Sequence, residues 1–152
     1  MNAQAHGKPD LPFALRHRGR EAALQMLYQW EVGRLSLADV RRVWSEVADE
    51  ADPLPPELAA FAGRLADGVA DHVAELDPLI SEAAAHWRLE RMNVLDRLVM
   101  RLAVYEFLYE SETPASVIIN EALELARAFS SEEAVPFVNG VLDGIRRKLE
   151  RA

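Results

Sequence analysis

Apolar residues recur every three or four positions along most of the chain, and this spacing predicts amphipathic helices. The first helix is predicted from about Leu15 to Glu31, with Gly33 as its stop. The most hydrophobic helix is predicted over residues 90–110, and strand-like alternation is almost absent. We therefore expect an all-α, compact single-domain bundle of about seven helices joined by short connections.

Proline and cap residues predict where the helices begin and end. Pro9 and Pro12 break any pattern at the front, so residues 1–12 are expected to form a flexible N-terminal arm before a single helical domain at 13–152. The proline-rich segment 52–56 predicts a loop. Asp77-Pro78 and Thr113-Pro114 each match a helix cap followed by proline at the first helical position, so helices are predicted to start there.

The composition narrows the class of protein. Half of the 152 residues are hydrophobic, and cysteine is absent, which excludes disulfides and thiol chemistry. Charged residues interrupt every apolar run within a few positions, which argues against a membrane span. Pro9 and Asp10 lie where a secretory signal would need an apolar segment, so we expect a cytoplasmic protein.

Positive charge is concentrated at the two ends of an otherwise acidic chain. Residues 1–20 carry Lys8 and three arginines against Asp10, a net of +3, whereas the whole chain carries −8. The last twelve residues have a net of +2. A basic tip on an acidic body indicates a localised anion-binding site, and nucleic acid is the obvious anion.

No catalytic or metal-binding pattern is found. The four histidines are never three or four positions apart, and His72 falls near an apolar face, where a hydrogen-bonded core histidine is favoured over a ligand. Glycines within the helical patterns form no phosphate loop and are expected to permit close helix packing. These are Gly63, Gly68, Gly140 and Gly144. We expect a binding protein without enzymatic activity, metal or cofactor.

The polar face of the first helix combines basic and aromatic side chains. With Ala23 and Leu27 inward, the outer face carries Arg18 and Tyr28. A guanidinium beside an exposed ring suits single-stranded RNA, because the cation pairs with phosphate and the ring stacks on a base. The alternative is that Tyr28 packs against a neighbouring helix and the arginines are simply solvated.

Four segments resemble the NusB family of bacterial antitermination factors, and they occur in the family's order. They span nearly the whole chain, from about residue 16 to 149: Arg18–Trp30, Met100–Glu106, Val117–Ala126 and Phe137–Asp143. The resemblance implies an all-helical fold and a role in transcription of ribosomal RNA operons. It also implies binding of boxA RNA together with NusE, a small-subunit ribosomal protein, within an antitermination complex on RNA polymerase.

The resemblance also assigns residues to two surfaces. The RNA-binding positions comprise the basic start and one aromatic residue of the last helix: Arg16, His17, Arg18, Arg20 and Phe137. The partner-binding positions are Tyr28 and Asp96. Gly19 and His17 depart from the family's arginine-rich start, so weaker phosphate contact is expected.

Two other functions compete with this one. A protein–protein adaptor without RNA binding is favoured by the acidic net charge. An RNA-recognition domain of a ribosomal RNA methyltransferase has a similar helical fold, but that enzyme would need a following α/β domain with a glycine-rich cofactor loop. Residues up to Ala152 contain no such domain.

Overall fold

The computed structural model describes residues 13–46, 54–85 and 87–150, and the regular elements within these ranges are all helical. Seven α-helices and one short 3-10 turn at Leu89–Arg91 lie in these ranges, and no strand does. The helices are α1 (Phe13–Glu31), α2 (Leu37–Glu46), α3 (Pro56–Asp71), α4 (Val73–Ala83), α5 (Val94–Tyr109), α6 (Ala115–Phe129) and α7 (Ala134–Lys148). The all-α prediction is confirmed. The predicted arm at 1–12 lies outside the described residues.

Helix α5 is the centre of the bundle. Every residue from Leu98 to Phe107 is buried, and α5 contacts α1, α3, α4, α6 and α7. A helix that is covered on all sides needs apolar residues around its whole circumference, which accounts for the strong hydrophobicity predicted for residues 90–110. The two charged members of this stretch, Arg101 and Glu106, are buried because each has an ion-pair partner.

Two glycines bring helices together. A Cβ at Gly19 would lie 2.6 Å from the Phe61 ring, so Gly19 sets the approach of α1 to α3. A Cβ at Gly68 would lie 2.1 Å from Tyr105, which confirms the packing role predicted for that residue. The same prediction is wrong for Gly140, because no atom lies within 4 Å of its Cβ position.

The break between α3 and α4 lies at His72, which corrects the helix start predicted at Asp77-Pro78. His72 leaves the helical conformation with φ −120° and ψ 17°, and Pro78 lies inside α4. The Asp77 carboxylate accepts two hydrogen bonds from Arg101 and therefore does not cap a helix. The Asp77-Pro78 pattern was misleading because the Asp77 carboxylate pairs with Arg101 of another helix.

Other boundaries differ from their predictions by smaller steps. Pro56 is the first residue of α3, so it does not belong to the predicted loop. Pro114 caps α6, which begins one residue later than expected. Residues 90–110 divide into the 3-10 turn and α5, because the Asn93 side chain accepts a hydrogen bond of 2.8 Å from the Leu95 amide and starts a new helix.

Candidate nucleic-acid and partner interfaces

The first turns of α1 present half-exposed basic side chains. Arg16, His17 and Arg18 all lie near the beginning of the helix and are neither fully buried nor fully exposed. The Nε atom of Arg16 is buried and has no hydrogen-bond partner in the described part of the chain. An unpartnered guanidinium nitrogen retains a donor that an anionic ligand can use, because leaving it unpaired is costly.

His17 joins the beginning of α1 to α6. Its Nδ1 atom lies 2.8 Å from the Glu121 carboxylate, and its Nε2 atom lies 3.3 Å from the Glu21 carboxylate. Both ring nitrogens therefore face carboxylates, so the imidazole orients α1 against α6 and does not point freely to a phosphate. The structure gives His17 a positioning role beside the predicted RNA surface.

Arg20 is buried, and this corrects its expected place on the RNA surface. Only 1% of the residue is exposed, and its Nε and Nη2 atoms each donate a 2.8 Å hydrogen bond to Glu106. Burial lowers the pKa of Arg20, but the hydrogen bond and charge of Glu106 raise that pKa by more, so the guanidinium stays charged. Burial raises the pKa of Glu106, and the Arg20 guanidinium opposes this rise.

The sequence held a signal for this burial. Arg20 precedes Ala23, Leu24 and Leu27 by three, four and seven positions, which places its side chain on the inward stripe of α1. The three residues are each at most 1% exposed. The local concentration of positive charge concealed that Arg20 belongs to the core, whereas Arg16 and Arg18 are half-buried at the start of α1.

Phe137 presents an aromatic ring to solvent. It is the fourth residue of α7 and is 40% exposed, whereas its neighbour Val138 is fully buried. The open space at Gly140 lies one turn further along the same helix. The ring is therefore not enclosed in the core, and an unstacked base has access to it. Helix α6, which holds His17 through Glu121, also packs against α7.

The other end of α1 carries an exposed apolar surface. Tyr28 is 39% exposed, and Val32 and Leu35 are exposed by 48% and 41%. Tyr28 therefore lies on the outer face, as its helical spacing predicted. Val32 and Leu35 were missed, although an apolar residue four positions after Tyr28 at the end of a helix was a usable signal.

Asp96 lies in the first turn of α5, near this end of α1. Its neighbour Arg97 is 3.9 Å from Glu31, the last residue of α1. The structure thus brings Tyr28 and Asp96 to one end of the bundle. The Oδ1 atom of Asp96 is buried and has no hydrogen-bond partner in the ranges that the structure describes. A partner's donor would satisfy this oxygen.

A buried arginine holds this end in place. Arg101 donates hydrogen bonds of 2.8 Å from Nε and Nη2 to Asp77 and one of 2.9 Å from Nη1 to Glu31. Burial lowers the pKa of Arg101, but the Asp77 hydrogen bond and the two carboxylate charges raise it by more. The position of Arg101 in the middle of the most apolar helix was the sequence signal for this network, which joins α1, α4 and α5. The sequence analysis did not use that signal.

His72 is held by contacts with neighbouring residues of the bundle. His72 donates a 2.7 Å hydrogen bond from Nδ1 to the Gly68 carbonyl oxygen, and its ring lies 4.6 Å from that of Tyr109. Within the described ranges, no group of three or more histidine, aspartate or glutamate side chains could hold a metal ion. His6 and His86 lie outside those ranges.

Comparison with known proteins identifies the fold and the family. Solved NusB of T. maritima is similar with a TM-score of 0.77 and 35% identity, covering 91% of this chain and 93% of the other. A solved complex of NusB and NusE with double-stranded RNA has a TM-score of 0.77 at 24% identity, covering 89% of this chain and 98% of the other, and supports the fold. None of the described helices has the length and apolar character needed to cross a membrane.

The sequence comparisons agree with the fold. The transcription antitermination protein NusB of Solibacter usitatus is 46% identical over 90% of this chain and 91% of its own length. That of Myxococcus xanthus is 42% identical over 90% of this chain and 97% of its own length. The model of the NusB family matches residues 17–147. The chain therefore belongs to the NusB family.

Proposed function

We propose that this chain is a transcription antitermination factor that binds boxA-type RNA together with a NusE-type ribosomal protein during transcription of ribosomal RNA. The observation that carries the RNA part is the unpartnered guanidinium nitrogen of Arg16 at the start of α1, in a protein of net charge −8. Its relatives in Solibacter usitatus and Myxococcus xanthus are antitermination proteins, which supports the same role here.

The proposed RNA surface is the start of α1 with Phe137. Arg16 and Arg18 supply cations for phosphate oxygens, and the exposed ring of Phe137 supplies a stacking platform for a base. His17 and Arg20 act indirectly, since their contacts with Glu121 and Glu106 fix the position of α1. A single-stranded RNA suits this surface, because bases must be unpaired to stack on a protein ring.

The proposed partner surface is the opposite end of α1. Tyr28, Val32 and Leu35 give it an exposed apolar area with an aromatic anchor, which is typical of a protein interface. The unpartnered Oδ1 atom of Asp96 supplies a fixed acceptor for a donor of the NusE-type protein. RNA and protein can therefore be bound at the same time, as assembly with RNA polymerase requires.

The role that we propose is one of binding, carried out by residues 13–152 as a single domain. Such a factor works in the bacterial cytoplasm, where transcription takes place. The competing adaptor function would use the Tyr28 surface alone and leave the start of α1 without a ligand. The methyltransferase-domain function has no observation that favours it.

A titration of the full chain with a fluorescently labelled boxA-type RNA tests the proposal. Binding should be specific for that sequence, weaken with added salt and strengthen when the NusE-type protein is present. A duplex of the same sequence is the informative competitor, because NusB and NusE have been solved with double-stranded RNA. If the chain binds the partner but neither form of the RNA, it is a protein adaptor and the proposal is wrong.

A further inference from the structure

Trp87 is the most exposed large hydrophobic side chain in the part of the chain that the structure describes. It is 56% exposed and lies in the α4–α5 segment, which we define as residues 87–93. Leaving so large a ring in water sacrifices the free energy of its burial, so an exposed tryptophan marks a surface that something covers. Neither the predicted RNA residues nor the predicted partner residues include it.

Two cations without carboxylate partners follow Trp87 in this segment. Arg88 and Arg91 are both exposed, and neither forms an ion pair or side-chain hydrogen bond with a described residue. Most other arginines in these ranges are paired with carboxylates, as Arg64 is with Glu110 and Arg127 is with Glu124. The α4–α5 segment therefore concentrates available positive charge on a protein whose surface is largely acidic.

The segment holds its side chains on a stiff support. The Arg91 and Met92 amides donate 3.0 Å hydrogen bonds to the carbonyl oxygens of Arg88 and Leu89. The Leu89 carbonyl oxygen also accepts a 2.8 Å hydrogen bond from Arg97, and Met92 is buried. Trp87, Arg88 and Arg91 thus project from a backbone that is fixed to α5, so little ordering is needed when a ligand binds.

This chemistry fits single-stranded RNA better than a protein. An exposed ring with two exposed guanidinium groups in the same short segment matches a strand in which bases alternate with phosphates. The core of a protein interface is depleted of charge, and here the other apolar side chains of the segment, Leu89 and Met92, are wholly or partly buried. Glu90 also lies in the segment and leaves it a net charge of +1.

The position of the segment gives it a place along a bound strand. Arg97 contacts both Leu89 and Glu31, so the segment lies at the end of α1, whereas Arg16 and Arg18 lie at its beginning. At 1.5 Å per residue, Arg16 and Glu31 are about 22 Å apart along the helix. An RNA of about 4 nucleotides, the smallest site size of a single platform, can reach only one of these sites, and a longer one can reach both.

We propose that Trp87, Arg88 and Arg91 form a second contact for single-stranded RNA, distinct from the contact at the start of α1. The inference rests on the proposed RNA-binding function and adds a site to it. Trp87 stacks on an unpaired base, and the two arginines bind the adjoining phosphates. The bound strand extends from the start of α1 to the end of the same helix, where it lies beside the proposed partner surface of Tyr28 and Asp96.

Two RNAs of different length test this site without any partner protein. One is a strand of about 4 nucleotides taken from boxA, and the other extends it with unstructured sequence on either side to about 20, beyond the site size of a single small platform. The full chain should bind the longer RNA more tightly than the shorter. The combined change Trp87→Ala, Arg88→Gln, Arg91→Gln should weaken the longer RNA about tenfold or more and leave the shorter RNA unaffected.

Matched variants separate the contributions. Trp87→Phe should retain most of the additional affinity for the longer RNA, because phenylalanine also stacks on bases. Glu90→Gln should increase this additional affinity, because it removes a charge that repels phosphate. Arg42→Gln on α2 replaces an exposed arginine outside the segment and should change neither RNA. If the triple variant melts early, the pair Arg88→Gln, Arg91→Gln alone should still lower the salt dependence with the longer RNA.

The outcomes distinguish this inference from the proposed function. If the chain binds the two RNAs equally tightly, or if the triple variant keeps the additional affinity for the longer RNA, the second contact is wrong. Binding of the shorter RNA would still support the proposed function in that case. Loss of NusE-type partner binding with an unchanged RNA gain would assign the segment to protein and also overturn the second contact. Binding of neither RNA would refute the proposed function and the second contact together.

Discussion

Arg16 and Arg20 show how burial separates two residues of the same type in one short run. Arg20 donates from Nε and Nη2 to Glu106, in a position that is 1% exposed. Arg16 is only half-buried as a residue, although its Nε atom is buried and has no hydrogen-bond partner among the described residues. The four-residue spacing does not decide this difference, since it is the packing of α1 against α3 and α5 that covers one residue and leaves the other accessible.

The first prediction is that Arg20→Ala destabilises the fold. The change leaves the Glu106 carboxylate buried without its partner, and breaking a buried ion pair costs about 3–5 kcal/mol. Urea unfolding followed by circular dichroism measures the free energy of unfolding. Replacing both residues with apolar ones, Arg20→Met with Glu106→Leu, should restore part of the loss. A single variant as stable as the unmodified chain would show that the pair is not structural.

The second prediction is that Phe137→Ala weakens RNA binding and spares the fold. Loss of one base–ring stack is worth about 1–3 kcal/mol, so affinity should fall about tenfold. The free energy of unfolding should change little, because the ring is 40% exposed. Val138→Ala is the matched control at the neighbouring buried position and should show the opposite pattern. A Phe137→Ala protein that binds RNA normally but melts much earlier would make Phe137 a packing residue.

At the scale of the element, α1 serves two interfaces because it is long and only one of its faces is buried. Its start carries the half-buried Arg16 and Arg18. Its end carries Tyr28 and the Glu31 contacts with Arg97 and Arg101, and the exposed Val32 follows directly. Gly19 permits α1 to approach α3 closely, at the cost of a gap in the basic run. Packing therefore determines which positions of the helix remain for ligands.

The third prediction is that Tyr28→Asp impairs binding of the NusE-type partner more than it impairs the fold. The ring is 39% exposed, so its loss removes an interface anchor and adds a charge without opening a cavity in the core. Affinity for the partner can be measured by calorimetry. Gln25→Asp places the same charge one turn earlier on the exposed face and serves as the control. Destabilisation of about 3 kcal/mol or more would instead identify Tyr28 as a core residue.

The fourth prediction concerns two glycines inside helices. Gly68→Ala should destabilise the protein by about 1–3 kcal/mol, because its methyl group would overlap Tyr105 in the core. Gly140→Ala should stabilise it by about 0.5–1 kcal/mol, because the site is open and alanine favours the helix. Thermal melts of the two variants should shift in opposite directions. A higher melting temperature for Gly68→Ala would contradict the packing assigned to Gly68. A lower one for Gly140→Ala would contradict the open space at Gly140.

At the scale of the whole molecule, periodicity in the sequence was enough to predict the all-α fold, the seven helices and most of the core. The helix start predicted at Asp77-Pro78 was wrong, because Asp77 pairs with Arg101 across the bundle and a local cap motif carries no information about such a contact. The spacing of Arg20 from Ala23, Leu24 and Leu27 indicated its burial, but its partner Glu106 is distant in sequence. The sequence therefore predicted candidate surface residues, and the fold determined which of them are exposed.

The net charge of the whole protein explains why RNA binding depends on a small number of arginines. With a net charge of −8, the protein repels RNA over most of its surface, so binding must depend on the few available cations. The most direct test is the salt dependence of RNA affinity in the variant Arg16→Ala, Arg18→Ala, with Arg42→Ala on α2 as control. Both variants must first be shown to unfold at the same urea concentration as the unmodified chain.

The double variant should bind boxA-type RNA more weakly, and the slope of log affinity against log salt should fall by about 1.4, since each lost single-strand phosphate contact contributes about 0.7. The Arg42→Ala control should keep the unmodified slope. If the double variant keeps both the affinity and the slope of the unmodified chain, the start of α1 is not the RNA-binding surface.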